Sequence, residues 1–71
     1  MDNRIQTAEE LGAQIRARRK ALRLTQDELA AVARVTPRLL GEVERGKASA
    51  QLAGLLRILA ALGLGLVVEA R

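Results

Sequence analysis

TQDELAAVARVTPRLLGEVERG, residues 25–46, decides the fold of this chain. Thr25 is a helix-capping residue, and Glu28 follows at the spacing of a capping box. Leu29, Ala30 and Ala33 fall on one face of the helix that follows. Thr36-Pro37 is a second start signal, a capping Thr with Pro at the first helical position. The first helix is therefore expected to stop near Ala33. Leu40 and Val43 form the inward face of the second helix. Gly46, free to take the left-handed conformation, closes it. Only Arg34 and Val35 lie between the two helices, so the helices must cross steeply. The spacing predicts a helix-turn-helix, whose second helix can enter a major groove of DNA.

The rest of the chain sets limits around that motif. Its 71 residues suit a single domain, 1–71, whose one core is marginal without a staple or a partner. Cys and His are absent, which removes disulfides and the usual zinc sites. Oligomerisation is the staple that remains. The net charge of +4 and pI near 11.1 permit binding to a polyanion. Nine of the 12 basic residues lie between Arg16 and Lys47, against four of the eight acidic ones, so the excess sits in and just before the motif. An ordinary solvated basic surface would show the same bias. The chain has no aromatic residue. A single-stranded ligand read by stacking is therefore disfavoured, and groove and phosphate contacts to a duplex remain. No catalytic constellation or phosphate-binding loop is present, so neither enzyme activity nor a cofactor is expected.

Residues 1–6 form a polar lead-in without the apolar core of a signal peptide, which predicts a cytoplasmic protein. Thr7 and Glu10 have capping-box spacing. The helix they open is expected to run to about Leu22, with Leu11, Ile15 and Leu22 on one face. Arg19 shares that face, one turn after Ile15, and needs a partner beside a core. Glu44, one turn after Leu40, is the natural one; the alternative is that each side chain reaches water separately. Arg16, Arg18 and Lys20 read mainly as solubilising charges. Ser49 can cap a last helix over residues 50–62, whose stripe of Leu52, Leu55, Leu56, Ile58, Leu59 and Leu62 is too wide for one monomer core. Residues 64–70, LGLVVEA, read as one strand. A lone strand invites pairing with a second copy, which assigns Leu64, Leu66, Val67 and Val68 to a homodimer interface. Arg57, the glycines and the short length argue against a membrane span here.

The motif resembles the Cro/phage-repressor (XRE) type of helix-turn-helix domain. TQDELA matches the TQ-x-x-LA opening of that family, and Val35, Thr36, Leu40 and Glu44-Arg45-Gly46-Lys47 match its second helix and exit. QTAEELGAQIRARRKALRLTQ looks like the family's first helix and lead-in. LLRILAALGLGLVVEAR looks like the end of HipB-type antitoxins, where a last helix runs into a short strand. The resemblance implies a mostly α, four-helix domain with a C-terminal strand that pairs between two copies. It implies a transcriptional repressor of an inverted-repeat operator, acting as the antitoxin of a toxin–antitoxin module with a HipA-like kinase as partner. The chain ends after the strand, so the long disordered tail with which many antitoxins wrap a toxin is expected to be missing. A stand-alone regulator, or an interaction module that keeps the fold, are the alternatives.

Position within the motif assigns roles. Thr36, Pro37, Arg38, Gly41 and Glu42 form the outer face that reaches base edges. Arg38 can donate twice to guanine, and Glu42 can accept from cytosine N4 or orient Arg38 one turn earlier. Gly41 suits a close approach to DNA or to another helix, or is an unselected surface residue. Thr25 and Gln26 sit at a helix N-terminus that favours a phosphate, and Arg23 is the lead-in base closest to the motif. By resemblance, Gln26, Arg45 and Lys47 lie near the sugar-phosphate backbone, and the Arg19–Glu44 pair is one the family forms. Arg34 stands where the family usually has Gly, and the amide-rich reading face of the family is absent.

Overall fold

The computed structural model describes residues 4–70; residues 1–3 of the polar lead-in and residue 71 lie outside the described residues. In chain order the helices are α1 (Ala8–Ala21), α2 (Gln26–Ala33), α3 (Pro37–Glu44) and α4 (Leu52–Ala61). α3 touches each of the other three, and α2 also packs on α4. The largest fully buried side chains are Ile15, Leu29, Leu40, Ile58 and Leu62. They come from all four helices and the cap of α4. Burying each is worth about 1.5–3 kcal/mol, and Ala30 and Ala33 are small enough to let α2 approach its neighbours.

The helix starts follow the capping chemistry only in part. At α2, the Thr25 hydroxyl accepts from the Glu28 amide at 3.1 Å, and the Glu28 carboxylate accepts from the Thr25 amide at 2.8 Å. At α3, Thr36 accepts from the Leu39 amide at 3.0 Å, with Pro37 in the first turn. At α1 only half of the expected box forms. Thr7 accepts from the Glu10 amide, but Glu10 takes its bond from the Thr7 hydroxyl rather than from the backbone. At α4 the expected Ser49 cap is wrong. The Ala50 amide turns back to the Lys47 carbonyl, and the helix begins at Leu52 behind Gln51, which makes no side-chain cap bond. Ser49 is spent inside the preceding turn.

All four helices end in the same way. Arg23 (φ 59°), Arg34 (φ 59°), Gly46 (φ 86°) and Gly63 (φ 71°) take the left-handed conformation. The next amide then reaches back: Leu24 to Arg19, Val35 to Ala30, Lys47 to Glu42 and Leu64 to Leu59, at 2.8–3.1 Å. Each is a Schellman closure, which gives partners to carbonyls the helix leaves free. Two arginines add donors to such ends. Arg57 Nε donates to the Ala33 carbonyl at 3.3 Å, and Arg18 Nε to the Leu62 carbonyl at 3.0 Å. Arg18, expected as a solubilising charge, therefore ties α1 to the end of α4.

One apolar expectation needs correcting. Leu22 shares the helical face of Ile15 but stands at the cap of α1, past the core, and is 42% exposed. Residues 64–70 form no strand among the described residues, since in a single chain nothing offers them an edge. Leu64 packs on the core, while Leu66, Val67 and Val68 are exposed. On α4, Leu52 and Leu56 are exposed as well. Among the described residues no helix is long and apolar enough to cross a membrane.

The left-handed closures generate a paired prediction. Arg34→Gly relieves the steric cost of a side chain there, about 1 kcal/mol, and should raise the melting temperature by about 4–8 °C. Gly46→Ala should lower it by more, because its new Cβ would also lie 2.7 Å from Glu9 Cα. Thermal unfolding followed by circular dichroism checks both.

Candidate nucleic-acid interface

The pose of α3 is set from beneath. Arg19 on α1 meets Glu44 on the last turn of α3 with two bonds, Nε to Oε2 at 2.7 Å and Nη2 to Oε1 at 3.0 Å. Its third donor, Nη1, reaches the Leu24 carbonyl at 2.8 Å. Gln26 Nε2, in the first turn of α2, also donates to Glu44 Oε1, at 3.1 Å. The side chains are only 9% and 3% exposed. Burial alone would raise the Glu44 carboxyl, but the bonds from Arg19 and Gln26 outweigh it and hold the group below its ordinary value of 4.5. The same bond holds Arg19 above its ordinary value against the opposing effect of burial. Close contact of the backbones reinforces the pair. A Cβ at Gly12 would run into the carbonyl oxygens of Val43 and Glu44, so α1 lies directly on the end of α3.

This arrangement gives Gln26 a role that its helix position did not reveal. Its side chain bridges to Glu44, while its backbone amide stays at the N-terminus of α2. The Thr25 hydroxyl is occupied by the Glu28 amide. The Glu28 carboxyl is held below its ordinary value by its bonds from the Thr25 backbone and side chain.

On the opposite side of α3, Thr36, Pro37 and Arg38 stand in solvent at the start of the helix, with the Arg38 side chain 88% exposed. Arg38 Nε donates to Glu42 Oε1 at 3.1 Å, so Glu42 orients Arg38 in the free protein. Lys47 Nζ lies 3.0 Å from Glu42 Oε2. Sequence reasoning did not foresee that second pair. No helical spacing joins positions 42 and 47, and the left-handed turn at Gly46 is what folds Lys47 back. The bonds hold the Glu42 carboxyl below its ordinary value, Lys47 more than Arg38.

Gly41 does not lie open on the outer face. It is buried, and its nearest outside group is the Arg45 guanidinium, which would stand 3.1 Å from an added Cβ. The helical rotation puts residue 41 at the flank, where the flexible Arg45 folds over it. Arg23 is exposed at the turn before α2, and Arg45 and Lys47 are exposed at the exit of α3. Thus Arg38 is exposed at the start of α3 and Arg45 and Lys47 at its exit, while the Arg19–Glu44 pair is buried.

A short helix pinned by a buried ion pair, presenting a cationic tip across a tight turn from a second helix, defines a DNA-binding helix-turn-helix module. The chain belongs to the helix-turn-helix family (HTH_3), whose model matches residues 15–68, and is a non-enzymatic DNA-binding transcriptional regulator. It is 44% identical over 63 residues to the uncharacterized HTH-type transcriptional regulator y4mF of Sinorhizobium fredii (strain NBRC 101917 / NGR234), covering 89% of this chain and 83% of that protein. Its fold is similar to that of HipB in a complex with an O4 20mer, with a TM-score of 0.86, 21% identity and 94% of each chain covered. A HipB variant in complex with an O2 20mer superposes with a TM-score of 0.88, 20% identity and coverage of 99% of this chain and 97% of that one.

The buried pair generates a second prediction. Arg19→Met or Glu44→Gln alone strands a polar or charged partner and should cost about 3–5 kcal/mol; the double replacement should cost less than the two together. The pH dependence has a defined sign. The folded Glu44 carboxyl lies below its unfolded value, so its contribution is complete above about pH 4.5 and is lost as pH falls through the folded value. Urea titrations at neutral and acid pH should show a smaller loss on acidification for Glu44→Gln than for the wild type. Equal losses, or additive single-site costs, would contradict the assignment.

Proposed function

We propose that this protein is a sequence-specific repressor that binds an inverted-repeat duplex operator as a homodimer. We further propose that it is a HipB-like antitoxin that represses its own operon in the cytoplasm and pairs with a HipA-like kinase toxin. The observation that carries the DNA-reading part is the tip of α3. Arg38 stands almost fully exposed there while Leu40, Val43 and Glu44 of the same helix are buried. Such a helix presents its N-terminal residues to base edges. Thr36, Pro37, Arg38 and Glu42 are the proposed readers, with Gly41 at their flank under Arg45. Arg23, Thr25, Gln26, Arg45 and Lys47 are the proposed phosphate contacts.

The dimer reading rests on the other end of the chain. Residues 64–70 leave the core with Leu66, Val67 and Val68 at 55%, 76% and 93% exposure. Leu52 and Leu56 of α4 add further uncovered apolar surface. Antiparallel pairing of this segment with its copy gives both backbones hydrogen-bond partners and creates a two-fold axis. Two α3 helices related by that axis would read the two halves of an inverted repeat. Similarity to the HipB fold supports the antitoxin part. Co-purification with the product of the adjacent gene, followed by footprinting on the shared promoter, tests it. A footprint without a co-purifying toxin would leave a stand-alone regulator.

Two predictions follow from these surfaces. Arg38→Ala should weaken operator binding by about 1–3 kcal/mol and relax preference at one base position. Lys47→Ala should weaken all sequences alike and flatten the salt dependence by about one counterion. An equal, sequence-independent loss in both variants would remove Arg38 from the readers. Deleting residues 64–71 should convert the dimer to monomer or aggregate in sedimentation and abolish tight operator binding in a gel shift. A deletion variant that stays dimeric and binds a palindrome normally would rule this interface out.

A further inference from the structure

The free protein holds its most exposed reading cation, Arg38, and an exit cation, Lys47, on a single carboxylate. Glu42 gives one oxygen to each, Oε1 to Arg38 at 3.1 Å and Oε2 to Lys47 at 3.0 Å. The Glu42 side chain is 18% exposed, against 88% and 51% for its partners. The carboxylate therefore sits behind two cations that point outward. Lys47 is held a second time, because its amide closes α3 on the carbonyl of the same Glu42.

We propose that Glu42 is a specificity-determining residue that suppresses indiscriminate DNA binding by competing with phosphate for Arg38 and Lys47. The proposal rests on the reading of α3 as the base-contacting helix. Its physical basis is the balance of charges at the tip. A phosphate that captures either cation draws it from Glu42 and leaves a negative carboxylate facing a polyanion. Every sequence imposes that loss, because every duplex carries the same phosphates. Only certain base edges offset it. A cytosine amino group can donate to the released carboxylate, and a guanine can accept from Arg38. Glu42 thus weakens binding to all duplexes and leaves it favourable where a G·C pair lies under the tip. Lys47 and Arg38 flank one carboxylate. It is the carboxylate between them that turns a general attraction into a conditional one.

Glu42→Gln tests this, since Gln keeps the side-chain length and leaves the backbone closure of α3 intact. The full chain is titrated into two labelled duplexes of about 20 bp, long enough for two half-sites one helical turn apart. One duplex has random sequence; the other is selected from a random pool by the wild-type protein. Binding is followed by fluorescence anisotropy across a salt series, and a thermal melt verifies that the variant folds. The variant should bind the random duplex about tenfold more tightly at low salt, with a salt slope steeper by about one to two counterions. Its preference for the selected duplex should fall. A folded variant with the wild-type affinity and slope on random DNA would overturn the proposal. So would a variant that loses affinity for both duplexes, which would make Glu42 a simple support for Arg38. Wild-type protein that binds neither duplex in a salt-dependent way would instead overturn the DNA-reading assignment of α3, and this inference with it.

Discussion

The buried bonds between Arg19 and Glu44 are the constraint on which this small domain depends. One guanidinium joins α1 to the last turn of α3 and to the loop carbonyl of Leu24. The carboxylate also holds Gln26 at the start of α2. Three helices are thereby fixed at one point, and among the described residues no buried side-chain nitrogen or oxygen lacks a partner. Complete satisfaction is what makes two buried charges tolerable, because desolvation is repaid only when the remaining donors and acceptors are met. An apolar cluster of similar size could give comparable stability. It would not give the same directional control over α3, since the planar guanidinium donates both bonds to a carboxylate in one orientation.

From that fixed point the two sides of α3 divide their work. The inner side carries Leu40, Val43 and Glu44 and belongs to the core. The outer side carries charges that the core does not need. Rigidity beneath and exposure above suit a recognition helix, because side chains on a well-held element lose less freedom on contact. The helix ends matter to the same purpose. α2, α3 and α4 have eight to ten residues each, too short to persist alone. Left-handed closures, and arginines reaching carbonyls at the ends of α2 and α4, hold them at their proper lengths. Arginine in this protein is thus a structural residue as well as an electrostatic one. Arg18, Arg19 and Arg57 reach backbone carbonyls or the buried Glu44 carboxylate, while Arg23, Arg38 and Arg45 are exposed.

Much of this was legible in the residue order, and the reasons are local. Thr25, Glu28, Thr36, Pro37 and Gly46 carry their signals in their own chemistry, so the two helices of the motif could be bounded before any contact was known. Periodicity put Leu29, Ala30, Ala33, Leu40 and Val43 inside. The same logic brought Arg19 toward Glu44, because a charge at a core position demands a counter-charge at another. The resemblance of TQDELA and ERGK to a known family added the class of ligand. The sequence by itself thus determined the order of the helices, the inner face of the motif and the demand for a buried counter-charge.

The tertiary structure decided whatever depends on direction in space. Ser49 has the chemistry of a cap, but a turn consumed it, and Gln51 stands at the helix start without a capping side chain. Leu22 has the right periodicity for the core, but it stands at the cap of α1, beyond the packed part of the helix, and stays exposed. Gly41 moved from the outer face to the flank, and Arg45 covered it. The joining of Arg38 and Lys47 on Glu42 depends on a turn that reverses the chain at Gly46. The close passage of Gly12 over the α3 carbonyls depends on the crossing of α1. Capping signals and periodicity are properties of neighbouring residues, so they survive in the sequence. The crossing of helices and the reach of long side chains arise only when distant segments share one core.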